Sequence, residues 1–151
     1  MPTYLVEERI LIDAEIDVVW QHLTDWDAYH QWNPFIVAVQ YTVDVQNNVD
    51  KMTFSLRWHN GKTGTSQEQM ASSSPPANGQ AELVYKYASL AARLGLLRAT
   101  RVQQLRTQGE QTAYYTKEQF SGILAWFVPL TAVKKGFAAQ AKALAKIASG
   151  K

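Results

Sequence analysis

The stretch FIVAVQYTVDVQNNVDKMTFSLRW, residues 35–58, contains two alternating apolar runs on either side of Asn47-Asn48. Asparagine tolerates the left-handed conformations of a tight hairpin turn, so a two-residue turn is expected here, with Gln46 opposite Val49. This register sets apolar residues opposite one another in four pairs: Val43 and Met52, Tyr41 and Phe54, Val39 and Leu56, Val37 and Trp58. A one-residue slip would break all four pairs, so the sequence predicts an antiparallel hairpin with one buried face.

The next turn signal, Asn60-Gly61, predicts a further strand whose inward face is polar. A two-residue turn places four polar residues on the same face as Phe54 and Leu56, namely Thr63, Thr65, Gln67 and Gln69. A solid hydrophobic core disfavours such a face, whereas a pocket that holds water and a ligand accommodates it. The pattern therefore favours a pocket beside this strand.

One strand and two short helices are predicted before the hairpin. Residues 3–12 alternate in polarity, which is typical of a strand. Asp13 and Asp25 are suitable caps for helices over residues 15–23 and 26–32. Pro34 ends the second helix, because the residue before a proline avoids the helical region.

Three more strands and a long helix are predicted after the hairpins. The Ser- and Pro-rich stretch 72–79 is expected to form a loop. Alternating segments predict strands over residues 83–87, 97–105 and 112–120. Beyond Pro129, apolar residues recur at helical spacing from Leu130 to Ala148 with lysines on the opposite side, which indicates an amphipathic helix.

Both ends of this arrangement resemble a known superfamily. AEIDVVWQHLTDWDAYHQWNPFI (14–36), TKEQFSGILAWFV (116–128) and KKGFAAQAKALAKIA (134–148) resemble the START-like superfamily, also called SRPBCC, which includes polyketide cyclases and lipid-transfer proteins. The resemblance implies one α+β helix-grip domain over residues 1–151. In that fold a curved seven-stranded antiparallel sheet wraps round a long C-terminal helix, with two short helices after strand 1. It also implies a cavity for a hydrophobic or aromatic molecule, but no particular catalytic residue.

The polar residues of the last hairpin are candidates for chemistry. If Thr107 pairs with Glu110, Gln103 faces Tyr114, Arg101 faces Thr116, and Arg101 is a diagonal neighbour of Glu118. The candidate catalytic residues are Glu118, Arg101 and Tyr114. A carboxylate and a guanidinium in a cavity would transfer protons or orient a carbonyl group. A structural ion pair and a solvated outward face are the alternatives.

Alternation also gives a candidate set for the cavity wall. Its aromatic rings and hydroxyl groups suit a planar or sterol-like ligand, although aromatic residues at this spacing are more often simple core. The candidate wall residues are Val39, Tyr41, Phe54, Leu56, Trp58, Thr65, Gln67, Tyr85, Tyr87, Gln103, Phe120 and Phe137. Residues 89–97 are apolar although they connect two strands, and Leu90, Leu94 and Leu96 are predicted to form a gate or a tip that contacts a membrane or a partner.

Composition excludes several kinds of site. The chain has no cysteine, which rules out disulfides, thiolate metal sites and cysteine nucleophiles. Its three histidines, His22, His30 and His59, lack metal-ligand spacing, so no metal or cofactor is expected. Gly61-Lys62-Thr63 lacks the first glycine of a phosphate-binding loop, since residue 56 is leucine.

Charge is distributed unevenly along the chain. Residues 1–75 contain 4 basic and 10 acidic residues, a net charge of −6, whereas residues 76–151 contain 11 basic and 3 acidic residues, a net charge of +8. A basic surface for nucleic acid or anionic lipid is one interpretation; a solvated helix face near an acidic N-terminal half is the favoured one, because no arginine cluster accompanies the lysines. The sequence therefore argues against nucleic acid and leaves peripheral membrane contact open. With no long apolar run and no basic leader, the expected location is the cytoplasm.

Three functions are consistent with this sequence. The favoured one is binding of a lipid, sterol or polyketide-like molecule in an internal cavity. The second is a cyclase or dehydratase that uses the polar residues of the cavity, and the third is a module that contacts a protein or a membrane. The ligand and the oligomeric state stay open at this stage.

Overall fold

The computed structural model describes residues 3–150. Seven strands form one antiparallel sheet in the order β1-β7-β6-β5-β4-β3-β2. Their bounds are β1 Thr3–Ile12, β2 Ile36–Val43, β3 Val49–Arg57, β4 Thr63–Ala77, β5 Gln80–Tyr87, β6 Arg98–Gln108 and β7 Gln111–Ser121. The first strand thus pairs with the last, and β1 and β2 form the two edges of the sheet.

Four α-helices accompany the sheet within the described residues. They are α1 Ile16–Thr24, α2 Tyr29–Trp32, α3 Leu90–Arg93 and α4 Leu130–Ser149, with 3-10 turns at Trp26–Ala28 and Ile123–Phe127. The apolar stripe of α4 is buried at Val133, Phe137, Ala141 and Leu144. The predicted fold class, an α+β helix-grip with short helices after the first strand, is confirmed.

The β2–β3 hairpin is present, but its predicted register was wrong. Val39 lies opposite Phe54 and Tyr41 opposite Met52, two residues away from the predicted pairing. The carboxylate of Asp44 accepts hydrogen bonds from the backbone N–H groups of Gln46 and Asn48, so it closes a longer loop than two residues. A shift by two keeps Val39 and Phe54 on the predicted face. At the start of β2 an irregularity between Ile36 and Ala38 changes the face, so that Ile36 is buried opposite Leu56 in place of the predicted Val37.

The predicted length of the β3–β4 turn was wrong by one residue, and this error reverses which residues of β4 face the pocket. Trp58 and Lys62 close the turn through a backbone hydrogen bond of 2.8 Å, leaving three residues in the loop, and Gly61 has a φ of 85°. Leu56 therefore lies opposite Gly64, and Phe54 opposite Ser66. Ser66 and Glu68 take the face that the sequence had assigned to Thr65 and Gln67, and Thr65 and Gln67 are exposed.

Two further predictions are corrected after this turn. Residues 72–77 continue β4 instead of forming a loop. An irregularity between Ser74 and Ala77 accommodates the two prolines, and Asn78 and Gly79 make the turn with positive φ. At the β6–β7 turn, Gly109 adopts a φ of 63° and the register moves by two residues. Arg101 consequently lies directly opposite Glu118 instead of diagonal to it.

A glycine sets the approach of α4 to the start of β2. A Cβ atom at Gly136 would lie 2.6 Å from ring carbons of Phe35. The absent side chain lets the Phe35 ring lie against the helix, where it meets Phe137 with 6.1 Å between ring centroids and Trp58 with 5.4 Å. These rings form one wall of the space between the sheet and the helix.

Candidate functional site

A pocket of about 270 Å³ lies between the concave face of the sheet and the first half of α4. Hereafter it is the sheet–helix pocket. Its volume is near the lower end of the roughly 300–1,000 Å³ of typical ligand sites. Ten of the predicted site residues line it: Phe54, Leu56, Trp58, Thr65, Tyr85, Tyr87, Arg101, Glu118, Phe120 and Phe137. A wider groove of about 740 Å³ crosses the outer face of the sheet and is lined by surface residues such as Arg9, Glu82 and Tyr115.

Arg101 is the charged group at the centre of this pocket. Its side chain is 2% exposed, and the guanidinium lies 4.0 Å from the Phe137 ring centroid. It donates hydrogen bonds to Thr116 Oγ1 at 3.1 Å, to the Tyr85 hydroxyl at 3.0 Å and to Gln140 Oε1 at 3.0 Å. All three acceptors are neutral, and no carboxylate within residues 3–150 lies within ion-pair distance of this guanidinium.

Two carboxyl groups share the pocket with Arg101. Glu68 is buried, and burial raises its pKa to about 8, with the nearby Glu118 adding to the shift. Glu118 is part-buried, and burial raises its pKa to about 7 although Arg101 opposes the shift. At neutral pH Glu68 is therefore mostly a neutral acid, while Glu118 is close to the midpoint of its titration.

Behind Arg101 a chain of hydrogen bonds fixes two tyrosines. The Tyr114 hydroxyl donates to Gln103 Oε1, and Gln103 Nε2 donates to the Tyr85 hydroxyl at 3.1 Å. Tyr85 thus accepts from both Gln103 and Arg101 and keeps its own proton to donate. Burial raises the pKa of both tyrosines, so both remain neutral phenols at neutral pH.

Two buried polar atoms at this site have no hydrogen-bond partner within residues 3–150. They are Glu68 Oε2, in the pocket lining, and Nε2 of Gln140, whose Oε1 accepts from Arg101. Buried polar atoms usually have hydrogen-bond partners, so unpaired ones beside a pocket indicate where a bound molecule would make polar contacts. The arrangement offers several donors to one ligand oxygen and two carboxyl groups suited to proton transfer.

Five predicted site residues lie away from the pocket lining. Val39 and Tyr41 are on β2 under the short helices, where the exposed Tyr41 hydroxyl donates to Asp27. Gln67 faces outward because of the register of β4. Gln103 and Tyr114 are fully buried behind Tyr85 and reach the site only through hydrogen bonds.

The sequence reasoning missed Glu68 and Ser66, which line the pocket, and Gln140, which accepts a hydrogen bond from Arg101. A three-residue loop at His59-Asn60-Gly61, with glycine in the left-handed position, would have given the correct face of β4. Gln140 interrupts the apolar stripe of α4 between Phe137 and Leu144, and a polar residue at such a position is a usable signal. The small apolar residues on either side of Gln140 in the sequence make this interruption of the stripe difficult to recognise.

The predicted gate is one of two neighbouring loops beside the pocket. Leu90 and Leu94 are exposed on and after α3, and Leu96 is half-buried. The backbone O of Leu96 accepts a hydrogen bond of 2.9 Å from Leu124 N, so this loop lies against the 3-10 turn Ile123–Phe127.

No cluster of three or more His, Cys, Asp or Glu side chains within residues 3–150 could hold a metal ion. None of the helices in that range is both long and apolar enough to cross a membrane.

Solved structures with this fold come from varied proteins. The Zhui aromatase/cyclase from Streptomyces sp. R1128 has a TM-score of 0.76 and 15% identity over 97% of this chain and 94% of that one. A ginseng major latex-like protein from Panax ginseng has a TM-score of 0.73 and 9% identity over 96% of this chain and 97% of that one. A START superfamily protein from Mycobacterium smegmatis has a TM-score of 0.66 and 17% identity over 97% of this chain and 94% of that one. At these identities the likeness concerns the fold. No curated protein matches the sequence.

A family model assigns the chain to a family, whereas the solved structures show only its fold. The model described as "Polyketide cyclase / dehydrase and lipid transport" matches residues 4–148, which is nearly the whole chain. The resemblance to the START-like superfamily is confirmed, and the chain belongs to the polyketide cyclase / dehydrase and lipid transport family.

Proposed function

We propose that the protein binds an amphiphilic small molecule in the sheet–helix pocket, with its apolar body against the aromatic wall and an electron-rich oxygen at Arg101. The observation that carries this proposal is a buried guanidinium whose hydrogen-bond acceptors are all neutral. A buried cation is costly unless it is paired, so a carboxylate, phenolate or polarised carbonyl oxygen would be stabilised there.

The surrounding groups support an oxygen-rich end on the ligand. The Tyr85 hydroxyl has a proton to donate, Gln140 Nε2 is unpaired, and Glu68 is a neutral donor below its pKa of about 8. Trp58, Phe120 and Phe137 line the remaining space. Burial of apolar ligand surface would supply the affinity, and the polar groups would fix the orientation.

Two fluorescent probes that differ by one anionic group test this proposal. 8-Anilinonaphthalene-1-sulfonate carries a sulfonate, and N-phenyl-1-naphthylamine has the same aromatic frame without it. Replacing Arg101 with Met is expected to weaken binding of the sulfonate probe about tenfold or more, because a charge-assisted hydrogen bond is lost, and to leave the neutral probe within about twofold.

The matched control is Arg106→Met, which removes an exposed arginine from the same strand. It changes the net charge equally and should leave both affinities unchanged. Equal loss of both probes in Arg101→Met would indicate a disturbed fold, which near-UV circular dichroism checks. Unchanged binding of the sulfonate probe by a folded Arg101→Met protein would contradict the proposal.

A second candidate function is catalysis of a cyclisation or dehydration. It is favoured by Glu118, whose pKa of about 7 suits a group that both takes and returns a proton near neutral pH. In such a reaction Glu118 would remove a proton from the carbon beside a carbonyl group, and the Arg101 guanidinium would stabilise the enolate oxygen. The enolate carbon would then form a bond to a second carbonyl carbon, whose oxygen would take the proton back from Glu118 and become a hydroxyl group. Removal of a second proton from the former enolate carbon, with departure of that hydroxyl group as water, would complete the dehydration.

Proton exchange separates the enzyme from the carrier. Acetophenone in D₂O exchanges its methyl protons slowly, and nuclear magnetic resonance follows the exchange. An enzyme would accelerate it, and Glu118→Gln would remove roughly 100-fold or more of that acceleration while keeping binding of the neutral probe. A carrier would accelerate nothing, and Glu118→Gln would change neither measurement.

A further inference from the structure

The two loops beside the sheet–helix pocket expose an unusual amount of apolar surface. Trp126 and Phe127 are 74% and 76% exposed, although large aromatic side chains are mostly buried in folded proteins. The patch formed by both loops, called here the apolar rim, consists of Leu90, Leu94, Ile123, Trp126 and Phe127. Large apolar side chains exposed on two adjoining loops indicate an interaction surface more strongly than single residues scattered over the surface do.

Backbone contacts hold the two halves of the rim together. Leu124 N donates to Leu96 O at 2.9 Å, and a Cβ atom at Gly122 would lie 2.5 Å from the same oxygen. Gly122 has a φ of 99°, so glycine is required both for its conformation and for this close approach. The two loops of the rim are therefore held against each other by backbone contacts.

The rim also borders the pocket directly. Leu97, at the end of the first loop, lines the pocket, and Val128 and Pro129, at the end of the second, line it too. A surface that covers the rim would thus cover the edge of the pocket.

The charged residues on the first rim loop and directly after it are basic. Arg93 lies between Leu90 and Leu94, Arg98 follows the loop, and both are exposed. The sequence contains no acidic residue from Leu83 to Gly109 and none after Glu118. Two copies of this rim facing each other would bring arginines close to arginines, which disfavours self-association. An anionic surface would be attracted to them.

We propose that the apolar rim docks the protein on an anionic lipid bilayer, with Trp126 and Phe127 inserted at the headgroup level and Arg93 and Arg98 against the lipid phosphates. Tryptophan and basic residues are the side chains that stabilise such interfacial contacts. The docked orientation brings the pocket edge to the bilayer, where an amphiphilic molecule would enter or leave without crossing water.

Flotation with vesicles tests the proposal. One set of vesicles contains only phosphatidylcholine, and the other contains equal parts of phosphatidylcholine and phosphatidylglycerol. The protein is expected to float with the anionic set, to bind the neutral set at least about tenfold more weakly, and to lose binding as salt screens the arginines. Failure to float with the anionic set overturns the proposal.

Two variants locate the contact. Trp126→Ser with Phe127→Ser removes the aromatic anchors, and Arg93→Ser with Arg98→Ser removes the charges; each pair is expected to weaken flotation about tenfold or more. The matched control, Leu11→Ser with Val45→Ser, removes two exposed apolar residues away from the rim and is expected to float like the wild type. Leu11 pairs with Ala113 near the opposite end of β7, and Val45 lies in the loop between β2 and β3. Equal flotation of all three variants overturns the proposal.

The remaining outcomes separate this proposal from its rivals. If the wild type is a dimer, and Trp126→Ser with Phe127→Ser makes it monomeric without changing flotation, the rim is a self-association surface and the proposal fails. Arg101→Met is expected to float like the wild type, because Arg101 is buried inside the pocket and exposes almost no surface to a bilayer. The probe experiment on the pocket and the flotation experiment can therefore fail independently.

Discussion

Glu68, a carboxyl group buried in the pocket, makes the stability of the folded protein depend on pH. Its pKa is about 8 in the folded protein, against 4.5 for an ordinary glutamate, because burial disfavours the charged form. The folded state therefore binds more protons than the unfolded state between these values. The resulting contribution to the free energy of unfolding is fully present below pH 4.5 and is lost as the pH rises through 8. Glu118 acts in the same direction up to a pH of about 7.

The pH dependence of unfolding should change when Glu68 is replaced with Gln. We expect the wild type to lose a few kcal/mol of its free energy of unfolding between pH 4.5 and pH 9, and Glu68→Gln to lose about 1–3 kcal/mol less. Urea unfolding at several pH values measures both. The control Glu110→Gln alters an exposed turn residue and should keep the wild-type slope. Identical slopes for Glu68→Gln and the wild type would show that Glu68 is not held in its neutral form.

At the scale of elements, the contact between α4 and the start of β2 depends on Gly136. We expect Gly136→Ala to destabilise the protein by about 1–2 kcal/mol, because displacement of the Phe35 ring costs more than the helix gains from alanine. Urea unfolding measures the change. Gly64→Ala is the control, since a Cβ there would meet Trp58 Nε1 at an ordinary 3.6 Å. A more stable Gly136→Ala protein would mean that Phe35 has room to move.

The hairpins show how much of the candidate site can be predicted from the sequence. Alternating polarity predicts which face of a strand is buried, and this is why Arg101 and Glu118 were correctly placed on one face despite a register error of two residues. A single extra loop residue at His59-Asn60-Gly61 reversed β4 and exchanged Gln67 for Glu68. Loop length depends on backbone hydrogen bonds such as the one from Trp58 N to Lys62 O, and composition does not specify it.

Across the whole molecule, the acidic and basic halves of the sequence meet between β1 and α4. Lys134 Nζ lies 3.7 Å from Glu8 Oε2 and donates to the backbone O of Glu7 at 2.6 Å. This supports the favoured interpretation of the charge asymmetry for Lys134, which lies beside acids of the N-terminal half. The arginines near the apolar rim have no acidic neighbour in their own loops, so the two parts of the basic half differ in their surroundings.

The pairing of the first strand with the last has a consequence for biosynthesis. Tyr4 lies opposite Phe120 and Ile12 opposite Thr112, so β1 has no neighbour in the sheet until about 110 further residues have left the ribosome. The strands from β2 to β5 can pair with their neighbours as they emerge. Arg101 and Glu118 come together only with the final hairpin. The growing chain therefore keeps the apolar face of β1 uncovered through most of translation, which is when it most needs protection from aggregation.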